Sequence, residues 1–127
     1  MRVLLVDDSM FMRNFLKGIL LGEWSDIEID EAGDGEEALD KFHKFRPDLV
    51  LLDIIMPKKD GLEVLREVAK YSTVVVISAV GQEKVIEQAR MLGAQDFIVK
   101  PFEVKKIIQT LRPILDKPIK FSQGSYE

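Results

Sequence analysis

The chain has 127 residues, of which 46% are hydrophobic and 31% charged, the balance of an ordinary one-domain globular protein. It contains no cysteine, which excludes disulfides, zinc–thiolate centres and thiol catalysis. Its 18 basic and 22 acidic residues give a net charge of −4 without a long basic cluster, so we expect no nucleic-acid partner. The N-terminal sequence turns acidic too early for a signal peptide, and no apolar run reaches the length of a membrane span. We therefore expect a cytoplasmic protein with no membrane partner.

The first half of the chain alternates short apolar runs with helical periodicity. Residues 3–6 are fully apolar, which is typical of a strand covered on both faces. Ser9 can cap the helix that follows. The apolar positions of this helix follow the i, i+3, i+4 rule of an amphipathic helix and are Met12, Phe15, Leu16, Ile19 and Leu20. Residues 27–32 alternate in polarity, which favours an edge strand with one wet face. Residues 33–35 then turn the chain into a second helix, and Pro47 follows it.

The second half of the chain contains three further strand–helix pairs. The predicted strands are residues 49–52, 73–77 and 97–99. Asp60 and Gly61 precede the third helix, Gly93 stops the fourth, and Pro113 should end or kink the fifth. Five consecutive strand–helix units predict an α/β protein with a parallel sheet and helices on both faces. We expect one domain over residues 1–115 and a flexible C-terminal tail over residues 116–127, where the periodicity is lost.

Polar side chains follow four of the five predicted strands. Asp7 and Asp8 follow the first strand, Asp53 the third, Ser78 the fourth and Lys100 the fifth. Because ligands of an open α/β sheet bind beyond the carboxyl ends of the strands, we expect these side chains to share one crevice. Three neighbouring carboxylates repel one another and need a cation, and oxygen ligands without histidine or cysteine favour Mg²⁺. A carboxylate can also attack phosphorus, with nearby donors sharing the charge of the transferring group.

These residues stand in motifs that resemble the receiver domains of two-component response regulators. The motifs are residues 6–8, 52–57, 60–61, 77–79 and 99–102, and the likeness covers about residues 2–115. It implies a flavodoxin-like (βα)5 fold with strand order 2-1-3-4-5. Within the family, the chain is most similar to the single-domain regulators of chemotaxis. The resemblance thus implies a phosphorelay protein that is not itself an enzyme.

The resemblance also implies a phosphoacceptor and a set of metal ligands. Asp53 would take phosphate from a histidine kinase. Asp8, Asp53 and the backbone carbonyl of Ile55 would bind Mg²⁺ directly, and Asp7 would act through a water molecule. Lys100, which would precede a cis proline bond, would bridge to the phosphoryl group.

A switch and a partner-binding face are implied in the same way. Ser78 would move toward the phosphoryl group, and the aromatic ring of Phe97 would then turn inward. An output protein, such as a component of the flagellar switch, would read a face that includes Ile86, Phe97 and Val99. A phosphatase is a further expected partner. Phe97 stands where many receiver domains carry tyrosine, so its switching must rest on packing without a hydroxyl hydrogen bond.

Two further departures and one surface cluster bear on the expected function. Ile55 and Val80 flank the expected phosphoryl site, where many receiver domains carry polar side chains, and neither can orient a hydrolytic water. Met10, Phe11 and Met12 are interpreted mainly as core and helix surface. A kinase-docking role for their helix is a second interpretation that rests on the resemblance alone.

Other functions of an α/β protein fit these residues less well. A phosphatase with an aspartate nucleophile would need a proton-transferring residue at position 55, where this chain has isoleucine. A flavin-binding module would need a Ser-, Thr- or Gly-rich loop after the first strand, where Asp7 and Asp8 stand. Residues 33–38 match a dinucleotide-binding fingerprint, but their acidic side chains would repel a pyrophosphate, which favours a tight turn. The chain could also be the receiver part of a longer regulator, and the sequence leaves this alternative open.

Overall fold

A computed structural model describes residues 1–116, in which five strands and five helices alternate along the chain. The strands are β1 Arg2–Val6, β2 Glu28–Ala32, β3 Leu49–Leu52, β4 Thr73–Ser78 and β5 Asp96–Val99. The helices are α1 Met10–Glu23, α2 Gly35–Phe45, α3 Gly61–Val68, α4 Glu83–Met91 and α5 Val104–Leu115. The tail expected over residues 116–127 lies, apart from its first residue, outside the described residues.

The five strands form one parallel sheet in the order β2-β1-β3-β4-β5, which confirms the predicted fold class. Each face of the sheet is covered by apolar residues. Val3 and Leu5 of β1 belong to the cluster that includes α1 and α5, whereas Leu4 and Val6 belong to the cluster that includes α2, α3 and α4. A strand buried on both faces needs apolar residues at every position, which explains the unbroken apolar run of β1.

The helix starts follow from short polar side chains. The Ser9 hydroxyl accepts a hydrogen bond from the backbone N–H of Met12 at 3.1 Å, so Ser9 caps α1 as predicted. The Asp34 carboxylate accepts a hydrogen bond from the N–H of Glu37 at 2.8 Å and caps α2. Gly35 is buried, and a β-carbon added there would lie 2.4 Å from Cβ of Lys59. The glycine motif of residues 33–38 is therefore a capped turn that packs tightly against the loop after β3.

Two details of the helices add to the predicted pattern. Pro113 does not end α5, which continues to Leu115; the proline lies in the last turn, where its missing N–H removes only one backbone hydrogen bond. Phe15, one of the periodic apolar positions of α1, is 39% exposed and stacks on Phe102. Among the described helices, none combines the length and the apolar character needed to cross a bilayer.

Candidate functional site

The parallel register brings the predicted site residues together at the carboxyl edge of the sheet. Strands β1 and β3 are paired up to their last residues, so Asp7, Asp8 and Asp53 leave the sheet side by side. Strands β4 and β5 are likewise paired at their ends, which places Ser78 and Lys100 next to each other. The backbone N–H of Lys100 donates to the carbonyl of Ser78 at 2.9 Å. The point where strand order reverses, between β1 and β3, therefore carries the carboxylates.

The Asp53 carboxylate is only 6% exposed, and both of its oxygens accept hydrogen bonds. Oδ1 accepts from the hydroxyl of Ser78 at 3.0 Å and from the backbone N–H of Ile55 at 2.9 Å. Oδ2 accepts from Nζ of Lys100 at 2.9 Å. Ser78 is fully buried, so its hydroxyl has a fixed direction at the base of the crevice. Asp53 is thus held in one orientation by donors from three different segments.

Lys100 bridges two carboxylates. Its Nζ donates to Oδ2 of Asp7 at 2.7 Å as well as to Asp53. Burial by itself lowers the pKa of Lys100, but the hydrogen bonds to Asp7 and Asp53 outweigh this effect and raise the pKa above its usual range. Lys100 is therefore a permanent ammonium in this structure at any pH near neutrality. The Lys100–Pro101 peptide bond is cis, as expected from the resemblance.

The three carboxylates form what we call the acidic site (Asp7, Asp8 and Asp53). One oxygen from each lies within 4.8 Å of the other two. A single ammonium faces these three negative charges, and every ligand atom offered is an oxygen, so the residues fit a hard divalent cation such as Mg²⁺. Both oxygens of Asp7 already accept hydrogen bonds, from Ser9 N–H at 2.9 Å and from Lys100. Asp8 is exposed, and within residues 1–116 its carboxylate accepts no hydrogen bond.

The residues predicted for switching and partner binding lie at the β4–β5 side of the sheet. The Ser78 hydroxyl already contacts Asp53, and the Phe97 ring is half-buried against the apolar cluster beneath α4. Ile86 on α4 is half-buried, whereas Val99 on β5 is 40% exposed. Ile86, Phe97 and Val99 are thus each at least partly accessible to solvent, whereas Ser78 is not.

One part of the site was missed by sequence reasoning. Edge strand β2 supplies no residue to the crevice, yet its Glu31 accepts a hydrogen bond from Nε of Arg13 at 2.9 Å. Nη1 of Arg13 donates to the backbone carbonyl of Asp7 at 2.6 Å. Arg13 lies on α1, Glu31 on β2 and Asp7 in the loop after β1, so no pattern within a single element relates them, and the sequence carried no signal for these contacts.

The arrangement can be compared with known proteins. The family model for the response regulator receiver domain matches residues 3–112. The chain belongs to this family. The strand order, the acidic site and the lysine after the last strand are therefore those of a two-component receiver domain.

Individual relatives give the same result. The chain is 43% identical to Protein CcdB of Bacillus subtilis, covering 90% of this chain and 97% of the relative. It is 38% identical to the chemotaxis protein CheY of Thermotoga maritima, covering 89% of this chain and 96% of the relative. Among solved structures, it is 40% identical to a chain of the CheX–CheY–BeF3–Mg²⁺ complex of Borrelia burgdorferi, with a TM-score of 0.81 and coverage of 91% and 90%. The chain is thus a CheY-like receiver domain.

Proposed function

We propose that the chain is the phosphoacceptor response regulator of a chemotaxis-type two-component phosphorelay in the cytoplasm. The observation that carries this proposal is the environment of Asp53. Its carboxylate is nearly buried, fixed by Lys100 and Ser78, and adjacent to the two other carboxylates of the acidic site. The similarity to CheY proteins from several bacteria supports a role in chemotaxis.

In the transfer, a carboxylate oxygen of Asp53 forms a bond to phosphorus. The bond from phosphorus to a histidine nitrogen of the kinase breaks, and the nitrogen keeps that electron pair. The Lys100 ammonium and the Ser78 hydroxyl, which now donate to Asp53, would donate to oxygens of the arriving phosphoryl group. Donors that are already in position stabilise the developing charge without reorganisation, and this is the main requirement of phosphoryl transfer.

Asp8, Asp53 and the backbone carbonyl of Ile55 would hold Mg²⁺, with Asp7 acting through a water molecule. When bound, the ion supplies positive charge to the phosphoryl oxygens. Both oxygens of Asp7 already accept hydrogen bonds, from the N–H of Ser9 and from Nζ of Lys100, which supports contact with the ion through water rather than directly. The Borrelia burgdorferi CheY complex contains Mg²⁺, which supports the same ion here.

The output would be read at the surface formed by α4, β5 and α5. Phosphorylation would draw Ser78 toward the phosphoryl group and shift an existing equilibrium of the Phe97 ring toward an inward position. An output protein, such as a flagellar switch component, would bind the changed face at Ile86, Phe97 and Val99. Amide spectra before and after phosphorylation should shift in this region; shifts confined to α1 and α2 would contradict the assignment.

The kinase would dock on the opposite side of the crevice, at an aromatic row on α1 and the loop before α5. Phe11 is 77% exposed and stacks on Phe15 with ring centroids 6.4 Å apart, and Phe15 lies 6.1 Å from Phe102. Phe11 lies three residues after Asp8 and Phe102 two residues after Lys100, so the row is close in sequence to two residues of the site. A partner bound there could present a phosphohistidine to Asp53.

The deciding experiment is labelling of the wild-type chain with acetyl phosphate, with and without Mg²⁺. We expect labelling that requires Mg²⁺ and no steady release of phosphate beyond the decay of labelled protein. Continuous turnover would favour the aspartate-nucleophile phosphatase, although Ile55 offers no proton for that reaction. A pulldown with protein carrying BeF3 against untreated protein would then identify the output partner and a phosphatase. A chain that is not labelled under either condition would overturn the proposal.

A further inference from the structure

Arg13 connects the loop after β1 to the edge strand of the sheet. The residue lies in the first turn of α1, and its side chain is 16% exposed. Nη1 donates to the backbone carbonyl of Asp7 at 2.6 Å, and Nε donates to Oε1 of Glu31 on β2 at 2.9 Å. Glu31 is also ion-paired with Lys17, one turn further along α1. The guanidinium is therefore held by hydrogen bonds from two of its nitrogens, Nε and Nη1.

The Asp7 carbonyl matters because it belongs to the peptide bond that leads to Asp8. The carboxylate of Asp7 is held by Ser9 and Lys100, whereas that of Asp8 accepts no hydrogen bond from residues 1–116. Since a peptide unit is planar, anchoring the carbonyl of Asp7 also fixes the plane from which Asp8 starts. The direction of the Asp8 side chain therefore depends on the backbone, and the backbone is held by Arg13.

The charge of Arg13 is compensated within the same network. By charge alone, a cation beside the acidic site would oppose the binding of a second cation. The hydrogen bond from Lys17 lowers the pKa of Glu31; burial opposes this, but the hydrogen bond from Arg13 adds to it, so the pKa lies below its usual range. Glu31 is therefore ionised at neutral pH and offsets the guanidinium. Arg13 therefore acts on the acidic site mainly through its hydrogen bond to the Asp7 carbonyl and little through its charge.

We propose that Arg13 is a positioning residue of the acidic site, which orients Asp8 for a divalent cation through the Asp7 carbonyl and is itself held by Glu31. The inference rests on the proposed function in one respect, that the acidic site binds Mg²⁺. Groups that orient metal ligands without touching the metal typically change metal affinity by about 10–100-fold when they are removed.

The test is the Mg²⁺ affinity of the full chain, measured by calorimetric titration with MgCl₂ in the absence of any phosphodonor. The variants are Arg13→Met and a matched control, Lys17→Met. Each replaces a cation that contacts Glu31 by an uncharged side chain, but only Arg13 bonds to Asp7. We expect Arg13→Met to weaken Mg²⁺ binding by about 10-fold or more and Lys17→Met to leave it nearly unchanged.

The sign of the effect separates positioning from charge. Loss of a nearby cation would by itself tighten Mg²⁺ binding, so unchanged or tighter binding by Arg13→Met overturns the proposal. Equal weakening by Lys17→Met overturns it too, because Lys17 does not bond to Asp7. Glu31→Gln should weaken binding less than Arg13→Met, since an amide oxygen can still accept from Nε.

A second variant covers the case in which Arg13→Met does not fold. Arg13→Lys keeps the charge but cannot bond to Asp7 and Glu31 with a planar fork, so it should also weaken Mg²⁺ binding. Affinity equal to wild type in Arg13→Lys would contradict the proposal. Failure of the wild-type chain to bind Mg²⁺ would overturn the cation site itself. If the wild-type chain binds Mg²⁺ and the Arg13 variants bind it equally well, only the role of Arg13 is overturned. The two outcomes can therefore be told apart.

Discussion

Two clusters of charged side chains lie at opposite ends of α1, and each places carboxylates around one cation. At the start of α1, the acidic site surrounds Lys100. At the end of α1, Glu23 and Asp116 flank Arg112 at 2.6 and 3.1 Å, and Asp116 also accepts a hydrogen bond from the indole N–H of Trp24 at 2.7 Å. We call this second group the α1–α5 clamp. In both clusters the carboxylates outnumber the cations.

The clusters differ in their access to water. The Lys100 side chain is 17% exposed and its two carboxylate partners 5% and 7%, whereas Arg112 is 50% exposed and its partners 35% and 43%. Water can solvate the excess negative charge of the α1–α5 clamp. In the acidic site Asp8 is exposed, but water is largely excluded from Asp7, Asp53 and Lys100. A metal ion, being positively charged, can compensate the negative charge that the single ammonium of Lys100 leaves in excess. Burial, rather than residue composition, is what distinguishes the two clusters.

The largest expected difference between the clusters is in labelling. Asp53→Asn should abolish labelling by acetyl phosphate, because an amide does not attack phosphorus. The matched change in the α1–α5 clamp, Asp116→Asn, should leave labelling at the wild-type level. Intact-protein mass spectrometry after incubation with Mg²⁺ and acetyl phosphate measures both. Normal labelling of Asp53→Asn would show that another residue is the acceptor.

Replacing the central cation of each cluster should lower the free energy of unfolding by different amounts. Lys100→Met leaves two buried carboxylates without their ammonium, so we expect a loss of about 3 kcal/mol in the free energy of unfolding. Added Mg²⁺ should restore part of this loss by binding the folded state. Arg112→Met, at the exposed cluster, should have a much smaller effect that Mg²⁺ does not change. Urea unfolding of both variants with and without MgCl₂ is the measurement, and equal losses would contradict the role assigned to burial.

The next prediction concerns the apolar rim of the acidic site. Loss of phosphate from Asp53 needs a water aligned behind phosphorus, and we expect the side chains of Ile55 and Val80 to border this approach. Neither side chain can form a hydrogen bond, and the loss of such a positioning contact slows a step by about 10²-fold. We therefore expect a long-lived phosphorylated state that a phosphatase resets. The double variant Ile55→Asn, Val80→Glu should decay faster after removal of the donor; a decay rate equal to wild type would exclude the apolar rim as the cause.

The smallest expected effect is on stability: replacing one carboxylate in each cluster should change the free energy of unfolding in opposite directions. Asp8→Asn should weaken Mg²⁺ binding yet raise stability in the absence of metal, by about 1 kcal/mol, because it relieves repulsion within the acidic site. Asp116→Ala should lower stability, because it removes the acceptor of the buried Trp24 indole. Urea midpoints in a chelating buffer test both changes. If both substitutions raised the urea midpoint, or if neither did, the predicted difference between the two clusters would be wrong.

Much of the site could be predicted because a parallel sheet aligns the ends of its strands. Asp7, Asp53, Ser78 and Lys100 each follow an apolar run, and the register of the sheet brings them together as expected. Arg13 could not be predicted in the same way. A basic residue in the first turn of an amphipathic helix ordinarily points to solvent, and only the packing of α1 beside β2 turns it toward Asp7 and Glu31.

The sequence by itself determined the alternation of strands and helices, the membership in the receiver family and the residue types at the strand ends, because these depend on local periodicity and short motifs. The tertiary structure alone decided which charges are buried and how they pair. Lys100 and Asp7 are 93 residues apart in the chain, yet their charged atoms lie 2.7 Å apart in the fold. Trp24 and Asp116, 92 residues apart, form an equally short contact that is only partly buried. Exclusion of water depends on how whole elements pack around a cluster, and this packing is not encoded in the spacing of any local pattern.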